Sequence, residues 1–150
     1  HDIEAAWLLL QCAEITGDTT LIANYKKHAI QIAEVTKEGI DTDGGLWYEY
    51  NPETQKLMAE KHSWPQAELM IGYYNAWQLS GNQAYLDIVL KNWSFVKKHI
   101  IDHQNGEGFW GINSDYSTMQ KDKAGFWKCP YHNSRACIEL IHRIKKLYKK

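Results

Sequence analysis

Two histidines, two glutamates and two tryptophans carry the chemistry this sequence can do. His1 and Glu4 stand three residues apart on one helical face, where a carboxylate can orient an imidazole and fix its tautomer. His132 opens the last helical segment of the chain. An imidazole with an unperturbed pKa of roughly 6.5 suits proton transfer in either direction near neutral pH. Glu4 and Glu68 are by type a carboxylate pair fit for glycoside hydrolysis, or charges favoured at helix N-termini by the dipole. Trp64 and Trp127 offer flat faces for flat ligands such as sugars, the alternative being core filling. His1, Glu4 and His132 lack a companion carboxylate at ligand spacing, so no metal is expected. Cys129, in Cys129-Pro130-Tyr131-His132, reads more readily as a small packed thiol than as a nucleophile. His28, His99, His103 and His142 fall inside or just after helices, away from the loop ends, and read as structural.

The elements that must position these groups are helices. Ile3, Ala6, Leu10 and Ala13 follow the spacing of a buried helix face that Gly17 closes. Ile22, Tyr25, Ala29 and Ile32 mark a second helix ending near Gly39. A third runs from about Pro65, a favoured first-turn residue, through Met70, Tyr74 and Trp77 to Gly81. Leu86, Val89, Trp93, Val96 and Ile100 mark a fourth, and Cys137, Leu140, Ile141, Ile144 and Tyr148 a fifth. Lys145, Lys146, Lys149 and Lys150 suit a helix C-terminus in solvent. Between these helices lie two long segments, 39–63 and 104–129, and loops of that length in a small domain are usually functional. The alternation in Leu46-Trp47-Tyr48-Glu49-Tyr50 predicts small hairpins within them.

The two loops repeat one another. Gly45-Leu46-Trp47 matches Gly108-Phe109-Trp110 at an offset of 63, and Trp64 matches Trp127 at the same offset. Glu4 lies 13 residues before Gly17, as Glu68 does before Gly81. One unit is an antiparallel helix pair plus a long loop, and such hairpins bury their faces only by stacking on neighbours. About two and a half units are present, which predicts a portion of a helical toroid. The repeat also gathers His1, Glu4, Trp64, Glu68, Trp127 and His132 around one mouth.

Composition narrows the function classes. Lys plus Arg number 17 against 18 Asp plus Glu, for a net charge of −1, which leaves no basic footprint for nucleic acid. No run of 18 apolar residues is present, so no membrane-spanning helix is expected. Three cysteines, Cys12, Cys129 and Cys137, are odd in number and lack metal-like spacing, which fits reduced thiols in a cytoplasmic protein. A content of 44% hydrophobic residues supports one domain at most, with a sizeable core.

His1-Asp2-Ile3-Glu4-Ala5, Trp64-Pro65-Gln66-Ala67-Glu68 and Trp127-Lys128-Cys129-Pro130-Tyr131-His132-Asn133-Ser134-Arg135 closely resemble the cellobiose 2-epimerases of the N-acylglucosamine 2-epimerase superfamily. The resemblance spans the chain; Ser63 departs from it, since many relatives carry a second Trp there. It implies an all-α fold, the carboxy-terminal portion of an (α/α)6 barrel with small β-hairpins in its long loops. Six units would need roughly 380 residues, so residues 1–150 are expected to be a partial catalytic domain. The implied reaction inverts C2 of the reducing-end glucose of a β-1,4 disaccharide to give mannose, without cofactor or metal. His1 and His132 are then the acid/base pair, with Glu4 orienting His1. Trp64 and Trp127 become sugar platforms, and Glu68 a further substrate-binding residue. The family's ring-opening histidine and carbonyl-side arginine have no matching motif here. Alone, the chain is expected to be inactive and to self-associate through an exposed apolar flank. An aldose–ketose isomerase of the same superfamily, a toroid glycosidase and a sugar-binding module are the alternative readings.

Overall fold

Helix starts and stops recur along the chain because the same short side chains recur at the same places. The structure is a computed structural model describing residues 1–148; Lys149 and Lys150 lie outside the described residues. Gly17 and Gly81 end α1 (Asp2–Thr16) and α3 (Ser63–Ser80) at φ 72° and 69°, left-handed values that glycine adopts without a Cβ clash. Asp18 then caps α2 (Thr19–Thr36) by accepting from the backbone N–H of Thr20 and Leu21. Asn82 caps α4 (Gln83–Phe95) by accepting from Ala84. Such caps satisfy donors the first helical turn leaves free. The Thr16 and Ser80 hydroxyls donate back to the Ala13 and Ala76 carbonyls and accept from the N–H of Asp18 and Asn82. Each helix pair therefore turns by one shared device, one repeat apart.

The helix pairs pack as predicted. α1 lies against α2 and α3 against α4, while α1 and α5 (Tyr131–Leu147) flank α3. α3 starts at Ser63, two residues before the predicted Pro65, and every residue from Ser63 to Ala76 except Trp64 is buried. A helix covered by neighbours on all sides has no use for a polar face. It comes close to α1 at Gly72, where a Cβ would meet Ile3 Cγ1 at 2.5 Å and the Ile3 carbonyl oxygen at 2.8 Å. α4 leads into a π-helical turn over Val96–Ile100, closed by the Ile101 N–H on the Val96 carbonyl, where the sequence predicts plain α-helix. On α5, Ile138, Ile141, Ile144 and Leu147 are exposed, and an apolar groove of about 640 Å³ runs between α4 and α5. No helix among the described residues is long and apolar enough to cross a membrane.

The long loops carry the small hairpin predicted near 46–50. β1 (Glu49–Asn51) pairs antiparallel with β2 (Lys56–Met58), Tyr50 opposite Leu57. A second pairing was not legible in sequence: β3 (Lys61–His62) pairs antiparallel with β4 (Gly111–Ile112) and ties the first loop to the second. Lys61 reinforces the tie. Its buried ammonium donates to Asp41 at 2.6 Å and Asp43 at 2.7 Å, and the Tyr116 hydroxyl of the second loop donates to Asp43. Gln66, wholly buried on α3, fastens the first loop to the helices by exchanging hydrogen bonds with the backbone of Leu46.

Candidate active site

α1, α3 and α5 begin side by side, so the residues at their N-terminal ends converge. His1 precedes α1, Trp64 lies in the first turn of α3, and His132 in the first turn of α5. The three rings form a stack: Trp64 lies 4.7 Å from His1 and 5.3 Å from His132 between ring centroids. Together they line a cavity of about 460 Å³ that Trp110, Trp127 and Tyr131 also wall. Two imidazoles and five aromatic rings, Tyr48 among them, around one opening suit a polyol whose C–H faces stack while a proton is moved.

Behind the cavity, two carboxylates and one guanidinium fix His132. Its Nδ1 bonds the Glu68 carboxylate at 2.7 Å. Glu68 is wholly buried and also accepts from Trp7 Nε1 at 3.1 Å and Arg135 Nη2 at 2.6 Å. Burial alone would raise the Glu68 carboxyl, but the bonds from His132, Arg135 and Trp7 outweigh it and hold it below the ordinary carboxylate range. An ionised carboxylate accepts only, so Nδ1 carries the hydrogen and Nε2 is left for proton transfer. Arg135 Nη2 also donates to Glu4 at 2.6 Å. Burial lowers the guanidinium's proton affinity, yet the bonds to Glu68 and Glu4 raise it overall.

The six residues singled out by sequence are placed as follows. His1, Trp64, Trp127 and His132 line the cavity, and Trp127 is 83% exposed, so it fills no core. Glu4 stands 3.6 Å from His1 Nδ1 but makes its shorter contact to Arg135. Glu68 lies beneath the cavity rather than on its wall, because its carboxylate is spent on His132, Arg135 and Trp7. Glu4, Glu68 and His132 offer ligand atoms within 4.8 Å of one another, and the cation held between the two carboxylates is Arg135.

Four residues escaped sequence reasoning. Trp7 and Arg135 complete the buried network. Arg135 carried a signal, being one of only two arginines in the chain and three residues after His132. His62 stacks on Tyr48 at 4.0 Å, meets Trp110 edge-on and bonds Glu60. Burial pushes its proton affinity down despite Glu60. Lys128 is buried beside Trp127; its ammonium donates to Glu107, which also accepts from Asn133 Nδ2. That pair braces the strap between Trp127 and His132.

Comparison with known proteins agrees with the fold and the family resemblance. Residues 1–136 match the family model described as N-acylglucosamine 2-epimerase (GlcNAc 2-epimerase). A cellobiose 2-epimerase from Bacteroides fragilis is 45% identical over 142 residues, covering 94% of this chain and 36% of that protein. Among solved structures, a sugar epimerase from a ruminal bacterium superposes with a TM-score of 0.89 at 32% identity, covering 95% of this chain and 37% of that one. The cellobiose 2-epimerase of Bacillus thermoamylovorans B4167 gives 0.88 at 36% identity, covering 95% and 36%. The helical hairpins are thus part of the (α/α)6 barrel of these proteins, and the chain spans a little over a third of their length.

Proposed function

The chain belongs to the N-acylglucosamine 2-epimerase family, and on that footing we propose that it supplies the acid/base half of a site that epimerises C2 of the reducing-end glucose in cellobiose or a related β-1,4 disaccharide. The C2 hydrogen of a closed pyranose is not acidic. Once the ring opens, C2 lies beside the C1 aldehyde. Removing its proton sends the C–H electron pair into a C1–C2 double bond and the charge onto the carbonyl oxygen. Return of a proton to the opposite face of C2 restores the aldehyde with inverted configuration. Substrate and product are stereoisomers, so the reaction needs no oxidant or reductant.

His1 and His132 are the two bases in this reading, and Trp64 and Trp127 hold the sugar. One imidazole, neutral, takes the C2 proton while the other, as imidazolium, returns a proton to the opposite face, and the two exchange roles in the reverse direction. Glu68 holds His132 with Nε2 free, and Glu4 is close enough to His1 to orient it. The observation that carries the reading is the pairing of two histidines at one aromatic cavity, one of them hydrogen-bonded to a buried, ionised carboxylate. Ring opening and stabilisation of the carbonyl oxygen fall to residues outside this chain, and the 150 residues alone are expected to be inactive.

The test is proton NMR of cellobiose incubated in D2O with the full-length chain. Loss of the reducing-end C2 proton signal with growth of mannose-type anomeric signals is the expected result. Release of glucose would indicate a hydrolase, and a ketose product an aldose–ketose isomerase. Unchanged disaccharide would leave sugar binding without catalysis.

A further inference from the structure

The chemistry proposed above uses two histidines and two glutamates, and leaves Arg135 unexplained. Its planar group lies 5.0 Å from the Trp7 ring centroid and 4.4 Å from that of Tyr131. One nitrogen, Nη2, bonds Glu4 and Glu68, each at 2.6 Å. The other, Nη1, donates to the Tyr131 hydroxyl. α1, α3 and α5 each contribute to this junction, and His132 sits on it, 2.7 Å from Glu68 and 4.0 Å from Glu4.

We infer that Arg135 is a positioning residue for His132: shared between Glu4 and Glu68, it supplies the charge that lets the imidazole give up its proton and the rigid plane that holds both carboxylates in place.

The groups facing His132 are Glu4 on α1, Glu68 on α3 and Arg135 with Tyr131 on α5. His1 stands across Trp64, and Lys128 on the strap is taken up by Glu107. Two carboxylates and one guanidinium leave a single negative charge facing His132. Without the guanidinium, the imidazole becomes the nearest counter-cation to two carboxylates and keeps its proton to higher pH. A base that stays protonated cannot abstract the C2 proton.

A guanidinium between two aromatic rings, with both carboxylates on one nitrogen, is fixed in its plane. An ammonium restores the charge but neither the stacking nor the hydrogen bond to Tyr131, so Arg135→Lys separates the two contributions.

The inference rests on His132 being an acid/base group, and the experiment keeps the two claims apart. Full-length wild type, Arg135→Met and Arg135→Lys are compared by steady-state kinetics on cellobiose against pH. The His132 ring proton is followed by NMR titration in the same proteins, identified by its loss in His132→Gln. For Arg135→Met the expected outcome is a His132 titration displaced upward by about one pH unit, with the rising limb of kcat moving alongside it. At neutral pH, kcat falls about 100-fold while KM stays within about threefold. Arg135→Lys restores the titration to its wild-type position and recovers kcat only in part.

An unmoved His132 titration in Arg135→Met overturns the proposal, as does a rise in KM at constant kcat, which would place Arg135 on the sugar. If Arg135→Met fails to fold, Arg135→Lys decides: an unmoved titration with reduced kcat supports the inference, and kcat equal to wild type overturns it. A wild type that leaves cellobiose untouched defeats the functional reading alone, because the NMR arm still reports whether Arg135 governs the proton on His132.

Discussion

His132 and Glu68 lie 64 residues apart in sequence and share a 2.7 Å hydrogen bond, so the carboxylate of one helical unit orients the imidazole of the next. The repeat makes this possible. Glu68 sits one turn into α3 and His132 in the first turn of α5, and stacked inner helices bring those turns together. Glu4 holds the same place on α1, with its carboxylate directed to Arg135 of α5.

Glu68→Gln tests this bond directly. The amide keeps the shape and can still accept from Nδ1, but it cannot stabilise the imidazolium that forms when His132 takes a proton. Removing the charge from a buried carboxylate that orients a catalytic imidazole costs orders of magnitude in rate. We expect kcat to fall at least about 100-fold with the far-ultraviolet circular dichroism spectrum unchanged. Activity within a few-fold of wild type would show that the hydrogen bond is structural only.

The same carboxylate shapes stability against pH. Burial would raise Glu68, and its bonds to His132 and Arg135 depress it below its ordinary value of 4.5. A depressed acid stabilises the fold above its unfolded pKa, and that contribution is lost as pH falls through the lower, folded value. Asp41 and Asp43, held down by Lys61, act the same way below 3.8. Lys61 is raised above 10.5, so its share is full below that pH and is lost as pH climbs through the folded value. Thermal melts should therefore be nearly flat across neutral pH and fall below about pH 4.5. Glu68→Gln should flatten the acid side; an unchanged acid slope would show that Glu68 carries none of it.

Much of this architecture was legible because it rests on local signals. Gly17 and Gly81 marked two helix ends, and the offset between Trp47 and Trp110 exposed the repeat. The convergence of His1, Trp64 and His132 followed from that repeat. β3 and β4 were not legible, since strands of two residues carry no periodicity and their partners lie far apart in sequence. The burial of Glu68 was not legible for a related reason. Its place on the mouth-side turn was readable, but burial beneath His132 depends on Trp7 and Arg135 packing over it from two other helices. Arg135 itself stood within a motif, but its partners Glu4 and Glu68 lie on α1 and α3, far away in sequence.

Lys61→Met should expose how far the loop tie matters. The methionine fills much of the same space, yet leaves Asp41 and Asp43 without their shared cation. Removing one partner from a buried ion pair costs about 3 kcal/mol, and chemical denaturation should show a loss of that order. β3 and β4 hold the segment leading into Ser63 and Trp64, so KM for the sugar should rise more than kcat falls. A variant as stable as wild type would mean that the two carboxylates are satisfied by water.

Gly72→Ala probes the contact that sets α1 against α3. The new Cβ would stand 2.5 Å from Ile3 Cγ1 and 2.8 Å from the Ile3 carbonyl oxygen. Rotation of the Ile3 side chain relieves the first clash but not the second, so α1 must move. Overpacking of this kind costs about 1–3 kcal/mol. Ile3 lies beside Glu4 and two residues from His1, so the displacement reaches the proposed acid/base groups, and turnover should drop along with stability. Pairing the change with Ile3→Ala separates the two clashes. The double variant should regain about 1 kcal/mol over the sum of the single losses, while kcat stays low because the carbonyl contact still holds α1 away from α3. Full recovery of both would mean that the side chain alone sets the spacing of the two helices.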